Sequence, residues 1–182
     1  MKRKKNINII VGTNNDGKLR EIKDLLPNNL IIYSPKELKL KSPKESGKSF
    51  KENSLIKAKF FSKKARMVCL ADDSGLEIDI LNKKPGIFSS RWAGPKGNFN
   101  IAINKVFNEL KKKDANWKNK KTLAQFICVL TLYWPDGKFI NSIGKVKGYI
   151  LNKKKGKNGF GYDPIFKPLN KKFTFGEMKS KN

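Results

Sequence analysis

The 182-residue sequence contains no histidine. That excludes a Ser-His-Asp triad, a Cys-His pair and any His-ligated zinc. Cysteine is scarce: Cys69 and Cys128 each stand alone in an apolar run, MVCLA and FICVL. They read as reduced core thiols rather than a disulfide or metal site, which suits a cytoplasmic protein. Long apolar stretches are missing too. MKRKKNINIIVG has a basic start, but its apolar segment is too short for a signal peptide and ends at Gly12, so no membrane association is expected.

Negative charge is in short supply. Lys plus Arg number 41 against 15 Asp plus Glu, a formal net charge of +26. Such a balance suggests nucleic acid as a partner. Arginine, however, is nearly absent: only Arg3, Arg20, Arg66 and Arg91 occur, and the planar fork that reads bases and phosphates is theirs. The lysines are scattered (Lys2, Lys4 and Lys5; Lys111 to Lys113; Lys118, Lys120 and Lys121; Lys153 to Lys155). They read as a solvated surface that attracts polyanions, nucleotides among them, and specific nucleic-acid binding is not expected. With 38% hydrophobic and 10% aromatic residues, the chain can still bury a substantial core.

The pattern along the chain predicts an α/β fold in one domain, 1–182. Residues 7–11 (INIIV) read as a buried strand, followed by the turn GTNNDGK and a helix through Leu19, Ile22, Leu25 and Leu26 that ends at Pro27. LIIY at 30–33 is a second strand, 36–49 a polar loop, and 50–66 an amphipathic helix. MVCLA at 67–71 reads as a strand broken by an acidic turn, DDSG. LEIDIL at 76–81 resumes as a strand with Leu76, Ile78 and Ile80 inward. Residues 86–97 are irregular, and 99–113 form another helix. The stretch 122–134 pairs with 139–151 across WPDGKF, where Gly137 supplies positive φ. A glycine-punctuated loop leads to a short tail. Early alternation followed by a hairpin predicts a mixed sheet flanked by helices.

Four segments carry chemistry. Gly12-Thr13-Asn14-Asn15-Asp16-Gly17-Lys18 joins strand to helix, where unpaired N–H groups and Lys18 suit phosphate. Leu19 replaces the hydroxyl residue of a Walker A loop, and a plain βα turn fits the same residues. Asp72 and Asp73 follow a buried strand, where carboxylates need solvent or a cation. With no histidine, their hard oxygens point to Mg²⁺ or Mn²⁺; an acidic turn is the alternative. In Glu45-to-Ala58, Ser49 and Glu52 read as a capping box. Asn53 and Lys57 lie at i and i+4 on one helix face and, with Glu45, would bring an amide, a cation and an acid towards DDSG. Gly159-Phe160-Gly161-Tyr162-Asp163 offers rings that could stack on a purine or fill a core turn.

In this order the segments TNNDGKLREI, ESGKSFKENSLIKA, LADDSGLEIDIL, PGIFSSRWAG, GFGYDPIF and TFGEM resemble the inosine/xanthosine triphosphate pyrophosphatases. The resemblance covers nearly the whole chain. It implies a two-lobed α/β fold with a long mixed sheet, an active site in the cleft between lobes, and a homodimer. It also implies Mg²⁺-dependent hydrolysis of ITP, dITP or XTP to monophosphate and pyrophosphate. By motif, Thr13, Asn14, Asn15, Asp16, Gly17 and Lys18 would hold the triphosphate. Asp73 would be acid/base and metal ligand, Glu45 a second ligand, Lys57 a phosphate contact in catalysis, and Ser74 a substrate contact. Phe160, Gly161, Tyr162 and Asp163 would wall the base. The other readings are a lysine-rich nucleic-acid binder on the same fold and a pyrophosphatase for other modified nucleotides.

The family's TFGEM segment is followed by a lysine and a Ser-His-Arg triplet that grips the purine. This sequence ends at Asn182, and Lys181 stands too near TFGEM to take the lysine's role. The expectation is a truncated sequence or one lacking this base-recognition element.

Overall fold

A computed structural model describes residues 7–179. The basic start (Lys2, Arg3, Lys4 and Lys5) and Lys181 lie outside the described residues. The fold is α/β, with a six-stranded mixed sheet in the order β2-β1-β3-β4-β5-β6. Its strands are β1 (Ile7–Val11), β2 (Leu30–Tyr33), β3 (Val68–Ile78), β4 (Thr122–Tyr133), β5 (Phe139–Ile150) and β6 (Phe166–Pro168). The helices are α1 (Asp16–Leu25), α2 (Phe50–Ala65) and α3 (Phe99–Lys113). β1 runs parallel to β2, with Ile9 opposite Ile32, and parallel to β3, with Ile10 opposite Cys69. β5 and β6 are antiparallel, with Tyr149 opposite Lys167. By its contacts the chain divides into unit 1, Met1–Asp73 with Val129–Ile143, and unit 2, Ser74–Cys128 with Gly144–Asn182.

Unit 1 is built around Ile10, Ala58, Phe61, Cys69, Ala71 and Tyr133. Burial pushes the Cys69 thiol up to about 12, which keeps it protonated and unreactive. Gly12 ends β1 where no side chain fits: an added Cβ would lie 2.8 Å from the Phe61 ring and 3.0 Å from Cys69 Sγ. The polar stretch 36–49 forms no helix or strand, as its composition predicts, yet Leu38 and Leu40 pack on this core. Helix α2 starts where Ser49 Oγ accepts the Glu52 N–H at 3.1 Å. The box is shifted by one residue, since Glu52 Oε2 takes the Lys48 N–H at 2.7 Å rather than that of Ser49. The turn after β4 closes through Trp134 N–H to Lys138 O at 2.9 Å, with Gly137 at φ 98°.

Unit 2 packs an aromatic core. Trp117 stacks on Phe107 at 5.5 Å, and Phe166 meets Phe126 edge-on at 4.6 Å. Leu76, Ile103, Val106 and Leu110 fill the spaces between them.

The chain departs from its sequence pattern in several places. DDSG is not a turn: β3 runs unbroken from Val68 to Ile78, because Asp72 and Asp73 are buried beside cations and need no exit to solvent. Ile80 does not continue the inward face. Residues Asp79–Leu81 form a 3₁₀ turn that exposes Ile80 by 41% and sends Leu81 into the core instead. The irregular stretch 86–97 contains 3₁₀ turns at Gly86–Phe88 and Arg91–Ala93. Asp16, Gly17 and Lys18 belong to the first turn of α1 rather than to the preceding loop. β6 has three residues, too few to show a period in the sequence.

Candidate active site

The site of unit 1 is assembled from the end of β1, the start of α1, the arm before α2, the first two turns of α2, and β3. Thr13 is buried, and its Oγ1 accepts the Asn15 N–H at 3.2 Å. Asn15 caps α1, its Oδ1 accepting the Lys18 N–H at 3.1 Å. Asn14 and Asp16 are exposed, and the Asn14 amide donates to Ser42 Oγ at 2.7 Å. Asn14, Asp16 and Ser42 line a cavity of about 480 Å³ together with Lys36, Lys39 and Lys41. Three cations, a hydroxyl and an amide outweigh the single Asp16 carboxylate there, a balance that suits an anionic guest.

Two ammonium groups make three ion pairs in this site. Lys18 Nζ, at the start of α1, is 2.7 Å from Asp72 Oδ2 on β3. Lys57 Nζ, on α2, is 2.8 Å from Glu45 Oε1 and 3.5 Å from Asp73 Oδ1. Both ammonium groups are mostly sheltered, and Asp73 is 6% exposed. Inside a protein such a pair is worth keeping only when both partners stay in place, because a lone buried charge costs several kcal/mol.

The balance of forces on Asp73 is informative. Burial raises its pKa above the ordinary carboxylate value and outweighs the lowering by Lys57. Glu45 raises it further, while Lys18 and the Asn53 amide lower it. The result is a carboxylate poised closer to neutrality than an exposed aspartate, as a proton-transferring group requires. Its Oδ2 is buried with no hydrogen-bond partner, as is Asn53 Nδ2. Unpaired groups of this kind mark a site that is not finished by the protein alone.

The candidate residues thus fall into two sets. Thr13, Asn14, Asn15, Asp16, Gly17, Lys18, Glu45, Lys57 and Asp73 all belong to unit 1. Ser74, half-buried on β3, belongs to unit 2, as does the turn with Phe160, Gly161, Tyr162 and Asp163. In that turn Asp163 Oδ2 accepts the Phe160 N–H at 2.7 Å, and Gly159 and Gly161 take φ of 68° and 66°. Tyr162 is committed to packing. It is 3% exposed, meets Phe99 edge-on at 5.4 Å and donates its hydroxyl to Ser89 O at 2.9 Å. Phe160 is only half-buried.

The sequence offers Asp72 and Asp73 together as carboxylates for a cation; strand alternation puts them on opposite faces of β3, with Asp72 against Lys18. Glu21, one turn along α1 from Lys18, escapes a reading of the sequence: the residue is exposed as a whole, yet its pKa is raised, first by desolvation and then by the charge of Asp72. The acidic character around α1 therefore extends beyond the four motifs. Its only sequence signal was Glu21 three residues after Lys18.

Oxygen donors are the right chemistry for a hard divalent cation. Among the described residues no group of three His, Cys, Asp or Glu side chains converges in a metal-binding arrangement. Glu45 and Asp73 nevertheless face the same ammonium, and Asp73 keeps an unbonded buried oxygen. That donor set fits Mg²⁺, which takes one or two carboxylates and completes its shell with water and phosphate.

Comparisons with known proteins place the chain in a family. The chain is 43% identical over 171 residues to the dITP/XTP pyrophosphatase of Zymomonas mobilis, covering 93% of this chain and 80% of that protein. It is 39% identical over 176 residues to the dITP/XTP pyrophosphatase of Rhizobium meliloti, covering 94% and 82%. Among solved structures, a HAM1 protein from Coxiella burnetii superposes with a TM-score of 0.83 at 35% identity, covering 95% of this chain and 87% of that one. The Staphylococcus aureus Ham1 protein gives 0.79 at 33%, covering 94% and 86%. The family model described as Ham1 family matches residues 9–182, so this chain belongs to the Ham1 family.

Proposed function

We propose that the chain hydrolyses noncanonical purine nucleoside triphosphates, with dITP, XTP and ITP as substrates and the monophosphate and pyrophosphate as products. It is a nucleoside-triphosphate pyrophosphatase in this reading, the activity for which its relatives are named. The observation that carries the reading is the buried cluster in which Asp73 and Glu45 share Lys57. A carboxylate with a raised pKa can take a proton from water, and neighbouring cations can neutralise phosphate oxygens, so no covalent intermediate is needed.

In this mechanism Asp73 is the general base and Lys57 neutralises phosphate charge. Thr13 to Lys18 receive the triphosphate through the start of α1, where N–H groups and Lys18 favour anions. Glu45 and Asp73 would hold Mg²⁺, or Mn²⁺ in its place. Such an ion supplies charge neutralisation and polarisation of the phosphates. Ser74 contacts substrate, and Phe160 rather than Tyr162 offers the ring for the base, since the Tyr162 ring is spent on Phe99. Assembly as a homodimer and residence in the cytoplasm belong to the same reading.

The test is direct. Incubation with dITP or XTP and Mg²⁺ should release pyrophosphate rather than orthophosphate, and Asp73→Asn should lower that release by about a hundredfold or more. Release of orthophosphate alone from the active native protein would refute the assignment.

A further inference from the structure

Asn53 is fully buried in α2, one turn before Lys57. An amide in a helix interior has poor helix propensity, and its burial is costly unless it is hydrogen-bonded. Capping does not account for it, because Ser49 and Glu52 already serve the helix start. The contacts of Asn53 point elsewhere. Its Oδ1 accepts the Gly47 N–H at 2.9 Å, and Gly47 lies two residues beyond Glu45 on the arm leading into α2. An added Cβ at Gly47 would come within 2.7 Å of both Asn53 Oδ1 and Glu52 Cβ, so the arm rests directly on the helix. The amide nitrogen of Asn53 is buried and makes no hydrogen bond. One helical turn later, Lys57 holds Glu45 at 2.8 Å and Asp73 at 3.5 Å.

We propose that Asn53 is a positioning residue for hydrolysis: it latches the arm that carries Glu45 onto α2, so that Glu45 and Asp73 are presented to Lys57 together. The inference rests on the hydrolase reading above. Asn53 acts through Glu45 and does not itself meet substrate. Its loss therefore lowers turnover without a matching change in substrate affinity. Gly47 serves the same latch from the other side, by having no side chain.

A double-mutant cycle tests this, with Asn53→Ala, Gly47→Ala, Glu45→Gln and the combination Asn53→Ala/Glu45→Gln. kcat and KM for dITP, thermal midpoints and hydrogen exchange of the Gly47 amide are measured on each. Asn53→Ala and Gly47→Ala should each lower kcat by about tenfold to a hundredfold, the usual size for loss of a supporting contact, with KM changed far less. Adding Asn53→Ala to Glu45→Gln should cost little more kcat, because the two act through the same arm. The Gly47 amide should be protected in the native protein and exposed in Asn53→Ala. If Asn53→Ala does not fold, Gly47→Ala answers the same question with the buried amide intact. Additive kcat losses on an impaired Glu45→Gln background, or an unprotected Gly47 amide in the native protein, would overturn the latch alone. A fully active Glu45→Gln, or a native protein inert towards dITP, would overturn the functional reading and this inference with it.

Discussion

The buried polar groups of unit 2 differ from those around Lys57 in unit 1. In unit 2 they are finished. Tyr162 gives its hydroxyl to Ser89 O at 2.9 Å, Ser89 Oγ accepts the Leu76 N–H at 2.9 Å, and Asp163 Oδ2 accepts the Phe160 N–H at 2.7 Å, all beside an aromatic core. In unit 1 the buried Ser54 and Thr131 hydroxyls are likewise paired, at 2.7 Å, but the groups around Lys57 are left open. Asp73 Oδ2 and Asn53 Nδ2 are buried without hydrogen-bond partners, and burial raises the Asp73 pKa although Lys57 stands 3.5 Å away. A buried polar atom left unbonded costs about 1–3 kcal/mol, so a chain keeps one only where something else makes use of it. The contrast separates residues that hold the fold from residues held by it.

Asp73→Asn breaks the comparison most severely. Loss of the general base should cut kcat by about a hundredfold to ten-thousandfold, read as pyrophosphate released from dITP. The same substitution should leave the thermal midpoint unchanged or higher at neutral pH. The sign follows from the raised pKa. Native Asp73 binds its proton more tightly than the unfolded chain does, so its contribution to stability is greatest below the ordinary carboxylate pKa and is lost as pH rises through the raised value. The gain from Asp73→Asn should therefore be largest near neutrality and vanish in acid. The acid limb of kcat/KM should sit above the range of an exposed aspartate for the same reason. A midpoint lowered at neutral pH would show that Asp73 serves the fold, as the groups of unit 2 do.

Trp117→Ala makes the opposite case. Trp117 is 2% exposed and stacked on Phe107, so its truncation should cost about 3–5 kcal/mol of stability, seen as a large drop in the denaturation midpoint. Activity at low temperature should follow only the fraction that remains folded. A variant that kept its midpoint but lost turnover would dissolve the division of labour between the units.

Much of the fold was readable because strong periods survive in the sequence. INIIV, the apolar spacings of α2 and α3, and the long pair β4 and β5 all appear within a residue or two of their expected bounds. DDSG misled because two acids, a serine and a glycine carry the composition of a turn. What makes them a strand is compensation by Lys18 and Lys57, which are remote in sequence. The site was legible in the same uneven way. The i, i+4 spacing put Asn53 and Lys57 on one face, with Glu45 and DDSG expected beside them, and in the structure Glu45 and Asp73 face Lys57 at 2.8 and 3.5 Å. No spacing rule could reveal that Gly47 folds back onto Asn53, because that contact depends on the path of an irregular arm. Tyr162 shows the limit of composition: the same ring suits a base or a core, and only packing against Phe99 decides where it goes.

Ser49→Ala tests the comparison at its finest grain. The Ser49 hydroxyl accepts the Glu52 N–H at 3.1 Å, and its loss should cost about 1 kcal/mol, the ordinary value for a helix cap. In unit 2, a change of that size would lower the midpoint and nothing else. Here the cap lies between Gly47, held by Asn53, and the helix that carries Lys57. If Asn53 is the latch, the arm stays fastened after the cap is gone. kcat should then fall less than in Gly47→Ala, even where the two variants have the same midpoint. Comparing them at matched stability isolates the contact from the helix start. Equal losses of kcat in both would mean that the helix start, rather than the amide of Asn53, holds Glu45 in place.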